Sequence, residues 1–211
     1  MLKRYHEEIT RQALKAHFTP TALGVILRAN LAQDNLAGQV GHDEFHFDNN
    51  AFARSYAYIE EQREMVRSAL RARQASIAWA AFGRLTHTCQ DLYAHSNYVD
   101  LWLSGYEGPT RPSPAEIDPM DETLLTSPDL RSGRLYYPLE ILSFLPGLRR
   151  IVKPLLPRDA HTWMNLDAPT QGPRFAYAFE AARARTHYEL DRTVASLTPD
   201  QVELFRGQAG C

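Results

Sequence analysis

The stretch HTCQDLYAHSN, residues 87–97, places His87, Asp91 and His95 four residues apart inside a long run without proline. Residues four apart in an α-helix lie about 40° around the axis and about 6 Å along it, so these side chains form one stripe. The surrounding run, residues 74–103, is mostly apolar, which predicts a central buried helix. Burying two imidazoles and a carboxylate is unfavourable unless a partner satisfies them, and a divalent metal does so well.

Zinc accepts both imidazole nitrogen and carboxylate oxygen, so the stripe predicts a zinc site in which Asp91 bridges two ions. Further candidate ligands are His6 in the first helix, Asp34 in ANLAQD, and His46 and Asp48 in EFHFDNN. Each has an ordinary interpretation as well: an exposed first-turn histidine for His6, a loop residue for Asp34, and a turn or cap for Asp48. Their occurrence together favours the metal site.

Hydrophobic periodicity predicts further helices, and strand signals are almost absent. The predicted helices cover residues 5–18, 20–32, 51–73 and 175–197, with Thr19 and Asn50 as caps of the second and third. Residues 104–172 are rich in proline, which predicts an irregular insertion over the helical core, followed by a C-terminal helix within residues 173–198. We therefore expect an all-α fold in a single domain, residues 1–211.

Charge and cysteine content argue against several classes of protein. The formal net charge of −2 gives no strong attraction to nucleic acid or anionic membranes. The two cysteines, Cys89 and Cys211, do not form a disulfide framework, and we expect Cys89 to be buried and not nucleophilic. The charged N-terminus and the lack of any run approaching ~20 apolar residues predict a cytoplasmic protein without a transmembrane segment, with signal-independent export as the alternative.

The order His6, Asp34, His46 and then HTCQDLYAHSN resembles the zinc-dependent phospholipase C and single-strand nuclease superfamily. ANLAQD, HFDNN and HTCQDLYAHSNYVDL are most similar to the Het-C-like heterokaryon-incompatibility proteins of that superfamily. The resemblance covers residues 5–100 well, and NLDAP, residues 165–169, is similar to a later segment. It implies a helical bundle of the zinc phospholipase C type that holds one to three zinc ions.

Carried over to this chain, the resemblance gives each candidate ligand a place. It assigns Asp34, His46, His87 and Asp91 to one zinc, His6 to a second zinc that Asp91 bridges, and His95 to a third. The superfamily usually completes the His95-type site from a later helix, where this chain has Phe175. His161 and Asp167 in HTWMNLDAP are the favoured substitutes. His187 and Asp191 have the family spacing but are equally typical of an exposed surface pair.

The resemblance also implies an enzyme, a phospholipase C-like phosphodiester hydrolase that uses zinc-activated water. Asp34 is the candidate catalytic residue, as ligand and general base. The expected substrate is a phospholipid or another phosphodiester, and the balanced net charge favours lipid. The apolar insertion, which carries Arg149, Arg150 and Lys153, is a candidate for peripheral contact with a membrane. Such a segment is more often ordinary core with a basic edge.

Two alternatives remain open for the function. The first is a non-catalytic, metal-stabilised helical scaffold that binds a membrane or a partner, which the missing late ligand pair supports. The second is a nuclease of the same fold, which the balanced net charge disfavours.

Overall fold

The structure is a computed structural model that describes residues 1–39, 41–106, 110–143 and 147–208. Within these residues the fold is all-α, as predicted, with thirteen α-helices and no strand. In chain order they are α1 (Lys3–Leu14), α2 (Pro20–Ala32), α3 (Leu36–Gln39), α4 (Asp43–His46), α5 (Phe52–Arg71), α6 (Ala75–His95), α7 (Tyr98–Ser104), α8 (Glu122–Leu125), α9 (Leu139–Ser143), α10 (Arg149–Val152), α11 (His161–Met164), α12 (Arg174–Ala195) and α13 (Pro199–Arg206). Single 3₁₀ turns occur at Asp48–Asn50, Pro114–Glu116, Lys153–Leu155 and Pro169–Gln171.

The central helix is α6, around which α2, α5 and α12 pack. Its second half, from Leu85 to His95, is buried at every residue. Gly83 allows the close crossing with α2, because a Cβ at this position would lie 2.3 Å from the carbonyl oxygen of Ile26. Three long helices therefore hold the half of α6 that carries the His–Asp–His stripe.

The start of α2 agrees with the sequence. Thr19 Oγ1 accepts a hydrogen bond from the amide of Ala22, at 3.4 Å, and Pro20 is the first helical residue. This combination of a threonine cap and an N-terminal proline is favourable, since proline has no N–H to leave unpaired.

The helix predicted over residues 74–103 is broken, because α6 ends at His95 and α7 begins at Tyr98. Backbone pairing with a distant segment replaces the helical bonds at the break. The amide of Asn97 donates to the carbonyl of Arg131, and the amide of Gly133 donates to the carbonyl of His95, both at 2.9 Å. The break thus brings a second segment to the end of α6.

Asn50 does not cap α5, contrary to the prediction, since Ala51 occupies that position and makes no side-chain capping bond. Instead Asn50 Oδ1 accepts from the amide of Ser132, at 2.7 Å. Asn49 Oδ1 likewise accepts from the amide of Leu135, at 2.7 Å. Both asparagines of HFDNN therefore fasten their turn to the segment that also meets the end of α6.

A buried ion-pair network joins α5 to α12. Arg63 Nη2 donates to Glu189 Oε2 at 2.6 Å, and Arg185 Nε donates to Glu189 Oε1 at 2.8 Å. All three side chains are buried, so loss of the Glu189 carboxylate would leave the buried guanidinium of Arg185 without its ion-pair partner and Arg63 with Glu60 alone. Such a loss typically destabilises a protein by about 3–5 kcal/mol.

The region predicted as an insertion has a small apolar core of its own. Val152, Leu156 and Ala160 form it, with Tyr136 and Trp163 packed against them. The C-terminal helix predicted within residues 173–198 is α12, and α13 follows it. In the part of the chain that the structure describes, no helix is both long and apolar enough to cross a bilayer. Cys211 lies outside the described residues.

The close crossing at Gly83 makes a prediction for stability. Gly83→Ala should lower the free energy of unfolding by about 1–3 kcal/mol, because the new methyl group must push the α2 backbone away. Gly24→Ala on α2 is the matched control, since a Cβ there meets only Arg28 Nη1, at 3.5 Å. It should be neutral or slightly stabilising. Urea unfolding followed by circular dichroism measures both, and equal effects would contradict the close-crossing argument.

Candidate metal centre

The predicted stripe on α6 is present, and His87, Asp91 and His95 are all buried. His87 Nε2 lies 3.1 Å from Asp91 Oδ2, and His95 Nε2 lies 3.7 Å from Asp91 Oδ1. Asp91 therefore lies between the two imidazoles and presents one carboxylate oxygen to each.

Four side chains from three segments form what we call the first cluster: His6 of α1, Asp34 after α2, and His87 and Asp91 of α6. One donor atom of each lies within 4.8 Å of all the others. Among the described residues, His6 Nε2, Asp34 Oδ2 and His87 Nδ1 are buried without a hydrogen-bond partner. Each unpaired buried polar atom costs about 1–3 kcal/mol. Two nitrogen and two oxygen donors with unpaired atoms among them fit a divalent ion such as zinc.

Gln90 orients the histidine of α1. His6 Nδ1 and Gln90 Oε1 are 2.6 Å apart, and because Oε1 can only accept, His6 must donate from Nδ1. Gln90 Nε2 in turn donates to Thr10 Oγ1 and Thr186 Oγ1, both at 3.0 Å. This arrangement leaves Nε2 of His6 as the basic nitrogen that faces Asp91, as the outer partners of metal-binding histidines commonly do. Sequence reasoning missed Gln90, whose only signal is its place beside Asp91 on a buried helix.

A second cluster contains Asp48, His95 and His161, again with donor atoms within 4.8 Å of one another. His161 Nδ1 lies 2.8 Å from Asp48 Oδ1, and His95 Nδ1 lies 3.5 Å from the same oxygen. Asp167 Oδ1 lies 3.2 Å from His95 Nε2. The favoured candidates His161 and Asp167 thus both reach His95, and Asp48 joins them.

A tight turn places His46 and Asp48 of HFDNN beside the two clusters, which together we call the centre. Phe47 and Asn49 have φ values of 57° and 54°, a left-handed conformation that asparagine tolerates and phenylalanine rarely adopts. Phe47 is fully buried and packs against Phe52 and Tyr56, which holds it in this conformation. His46 and Asp48, on either side of Phe47, both reach the centre.

The segment that contains Gly133 positions α11. The amide of His161 donates to the carbonyl of Arg134 at 2.8 Å. A Cβ on Gly133 would lie 2.6 Å from the Cα of His161, so only glycine permits this approach. One segment therefore contacts the end of α6, the HFDNN turn and α11.

His46 lies beside the first cluster. Its Nδ1 is 2.8 Å from Asp91 Oδ2 and 3.2 Å from His87 Nε2. The structure groups His6, and not His46, with Asp34, His87 and Asp91. The α-amino group of Met1 lies 2.5 Å from Asp91 Oδ1 and 3.0 Å from His95 Nε2, between the two clusters.

The alternative pair, His187 and Asp191, is not part of the centre. Its side chains are 47% and 67% exposed, with His187 Nδ1 3.2 Å from Asp191 Oδ2. It has the geometry of the surface pair that its spacing also predicts.

Burial and neighbouring charges set the protonation of the centre. Burial alone would raise the pKa of Asp91, but the positive charges of His95, the amino terminus and His6 outweigh it and hold that pKa well below its usual value. Burial, with repulsion from His6, lowers the pKa of His87 to about 3. Burial would also lower the pKa of His161, yet attraction to Asp48 and the hydrogen bond with it raise this pKa to about 9. Near neutral pH, His87 is therefore neutral and His161 is protonated.

The clusters are enclosed by protein. The side chains of His6, Asp34, His46, Asp48, His87, Asp91, His95 and His161 are at most 9% exposed. Asp167, at 21%, is the most exposed of the candidate ligands. Such a centre can hold an ion, and it offers a larger substrate little surface to contact.

The fold and the clusters define an all-helical domain with a buried histidine–aspartate centre. The model of the VWA7 N-terminal domain matches residues 4–112, more than half of the chain, so the chain belongs to this family. The match includes His6, Asp34, His46, Asp48 and the whole α6 stripe.

Curated relatives are von Willebrand factor A domain-containing protein 7 from rat, mouse and human. The rat protein is 35% identical over 80 residues, which is 38% of this chain and 9% of the relative. The human and mouse proteins are 33% and 32% identical over 101 residues, 48% of this chain and 11% of each relative. The chain thus spans about a tenth of the length of these relatives. No solved structure matches it.

These matches correct the assignment made from the motifs. The resemblance to the zinc phospholipase C superfamily and Het-C-like proteins is wrong, and nothing in the family match supports the predicted phosphodiester hydrolase. The catalytic role of Asp34 depended on that activity. Histidine and aspartate at helical spacing are what a buried group of metal ligands requires, whatever the protein does. The pattern therefore does not identify a reaction. The all-α class is confirmed, whereas the phospholipase C type of bundle is not.

The reactivity of Cys89, which lies on α6 among the candidate ligands, tests whether this helix is buried. Burial, helped by the nearby carboxylate of Glu189, raises the pKa of its thiol to about 12. In a Cys211→Ser variant, we expect Cys89 to react with a disulfide reagent at least about a thousandfold more slowly in the native protein than in urea, because native thiolate is scarce near neutral pH. Absorbance of the released thiol measures the rate, and rapid stoichiometric labelling of native protein would contradict the buried position.

Proposed function

We propose that this domain binds divalent metal, with zinc as its natural ion, at the first and second clusters. The ions would fasten α1, the HFDNN turn and α11 to α6. The observation that carries the proposal is the convergence of buried imidazoles and carboxylates from five separate parts of the chain, with ligand-type atoms of the first cluster left unpaired.

Charge supports this proposal. Asp34, Asp48, Asp91 and Asp167 bring four carboxylates into one largely buried region, where protonated His161 and the α-amino group of Met1 balance only part of the negative charge and burial keeps His87 neutral. Buried charges of one sign destabilise a fold unless opposite charge accompanies them. A divalent cation supplies that charge together with a preference for these donor atoms.

Because the two clusters are enclosed by protein, we infer that the metal stabilises the fold and does not catalyse a reaction. The ligands join short segments, since α4 and α11 are single turns of helix with little stability of their own. The aligned part of this chain makes up only about a tenth of each relative, so the proposed role is that of a metal-stabilised module within a longer protein.

Metal content and thermal unfolding test the proposal. Elemental analysis should find two zinc ions per chain in protein purified without chelator. Saturation of both sites to about 100 times Kd should raise the Tm by about 10–20 °C over chelator-treated protein. Asp91→Asn and His87→Gln should each abolish binding of the ion at the first cluster and about half of the shift, while the second cluster keeps its ion.

The exposed pair on α12 offers matched controls. Asp191→Asn and His187→Gln make the same chemical changes outside the centre, and both should keep the wild-type metal content and Tm shift. If the wild-type protein binds no zinc and zinc leaves its Tm unchanged, or if the α12 variants lose metal equally, the proposal is wrong.

The pKa difference between the clusters predicts where protons are released. Zinc must displace the proton of His161, whose pKa is about 9, whereas His87 is already neutral. Since the folded pKa of His161 exceeds its ordinary 6.5, its ion pair with Asp48 stabilises fully below pH 6.5 and is lost as pH rises through 9. Zinc affinity at the second cluster should therefore rise with pH over that window.

Calorimetric titration near neutral pH, in two buffers of different ionisation enthalpy, measures this proton release. The wild type should release about one more proton than His161→Gln, in which the second cluster is incomplete. His87→Gln should retain the release. Equal release from all three proteins would contradict the assignment of the protonated histidine.

A further inference from the structure

An exposed apolar surface remains outside the metal centre. Among the residues that the structure describes between 137 and 155, six large apolar side chains are exposed: Tyr137, Leu139, Leu142, Leu148, Ile151 and Leu155. Ile151 and Leu155 are 66% and 67% exposed, although each is adjacent in sequence to a residue of the small core, Val152 or Leu156. The segment thus buries one side and leaves the other, equally apolar, towards solvent.

The same part of the sequence is rich in basic residues. Residues 134–158 contain five basic residues, Arg134, Arg149, Arg150, Lys153 and Arg158, and one acidic residue, Glu140. Glu140 is buried and accepts a hydrogen bond from the amide of Thr162, at 2.6 Å. The segment therefore carries a formal charge of +4 (five minus one), while the whole chain carries −2.

Trp163 lies between two of these cations. Lys153 Nζ is 4.3 Å and Arg158 Cζ is 4.1 Å from the centre of its ring. A shallow cavity of about 370 Å³ adjoins it, lined by Arg150, Lys153, Pro154, Trp163, Thr170 and Gln171. Cations beside an indole and next to exposed aliphatic side chains are the groups that meet the headgroup layer of a bilayer.

We propose that residues 137–143 and 147–158 form a docking face for the surface of a membrane that contains anionic phospholipid. Ile151 and Leu155 enter the interface between headgroups and acyl chains. Arg150, Lys153 and Arg158 contact the lipid phosphates. The positive charge of the face favours an anionic membrane over a second copy of this chain, because a symmetric contact between two such faces would bring like charges together.

Vesicle sedimentation tests the proposal with the zinc-saturated chain. The protein should bind vesicles of phosphatidylcholine mixed with phosphatidylserine, bind weakly to phosphatidylcholine alone, and be partly released by high salt. Ile151→Ser/Leu155→Ser and Arg150→Glu/Arg158→Glu should each lower the partition coefficient about tenfold or more.

Two control variants match these changes elsewhere on the surface. Leu36→Ser removes an exposed leucine of α3, and Lys15→Glu/Arg28→Glu reverses two exposed charges on other helices. Both should bind vesicles as the wild type does, with unchanged circular dichroism in all variants. Failure to bind mixed vesicles, or equal losses in test and control variants, would overturn the proposal. Dimerisation in solution that Ile151→Ser/Leu155→Ser abolishes would assign the face to a second copy and also overturn it.

Discussion

The buried carboxylate of Asp91 is the group to which the surrounding structure is fitted. It has no exposure to solvent, and an uncompensated buried charge costs several kcal/mol. Compensation comes from the α-amino group of Met1 at 2.5 Å and from imidazoles on three helices: His46 at 2.8 Å, His6 at 3.2 Å and His95 at 3.7 Å, with neutral His87 at 3.1 Å. The first turns of α1, the one-turn α4 and the end of α6 must therefore meet for this carboxylate to be buried at all.

This requirement explains why irregular backbone surrounds a regular helix. An α-helix presents ligands along one stripe, so the remaining ligands must approach from other directions. The left-handed Phe47, the break after His95 and the glycine contact at His161 each allow such an approach. Backbone irregularities of this kind are tolerated where surrounding contacts over-determine them, and they concentrate at functional sites.

Local sequence predicted those features whose causes are local. The bounds of α2 follow from Thr19, Pro20 and an apolar face, and the α6 stripe follows from helical spacing alone. The break after His95 could not be predicted in this way, because its cause is backbone pairing with residues more than thirty positions later. The partnership of Asp48 with His161 spans 113 positions, and the role of Gln90 depends on three side chains from two other helices. The family assignment failed for a related reason: ligand spacing reports the demands of a buried cluster and carries no information about a reaction.

The helix α11 connects the metal centre with the basic apolar face, although each is argued from its own contacts. His161 points to Asp48 in the centre, while Trp163, two residues later, carries the cations of the face. Between them, the backbone amide of Thr162 donates to Glu140 of α9. A single turn of helix has little stability of its own, so these three attachments, with the close contact at Gly133, determine its position. Loosening His161 would therefore displace Trp163 and the cations stacked on it, whereas changes at Ile151 or Leu155 leave every attachment of α11 intact. Any coupling between metal binding at the centre and ligand binding at the face would therefore pass through α11, and it would be reciprocal.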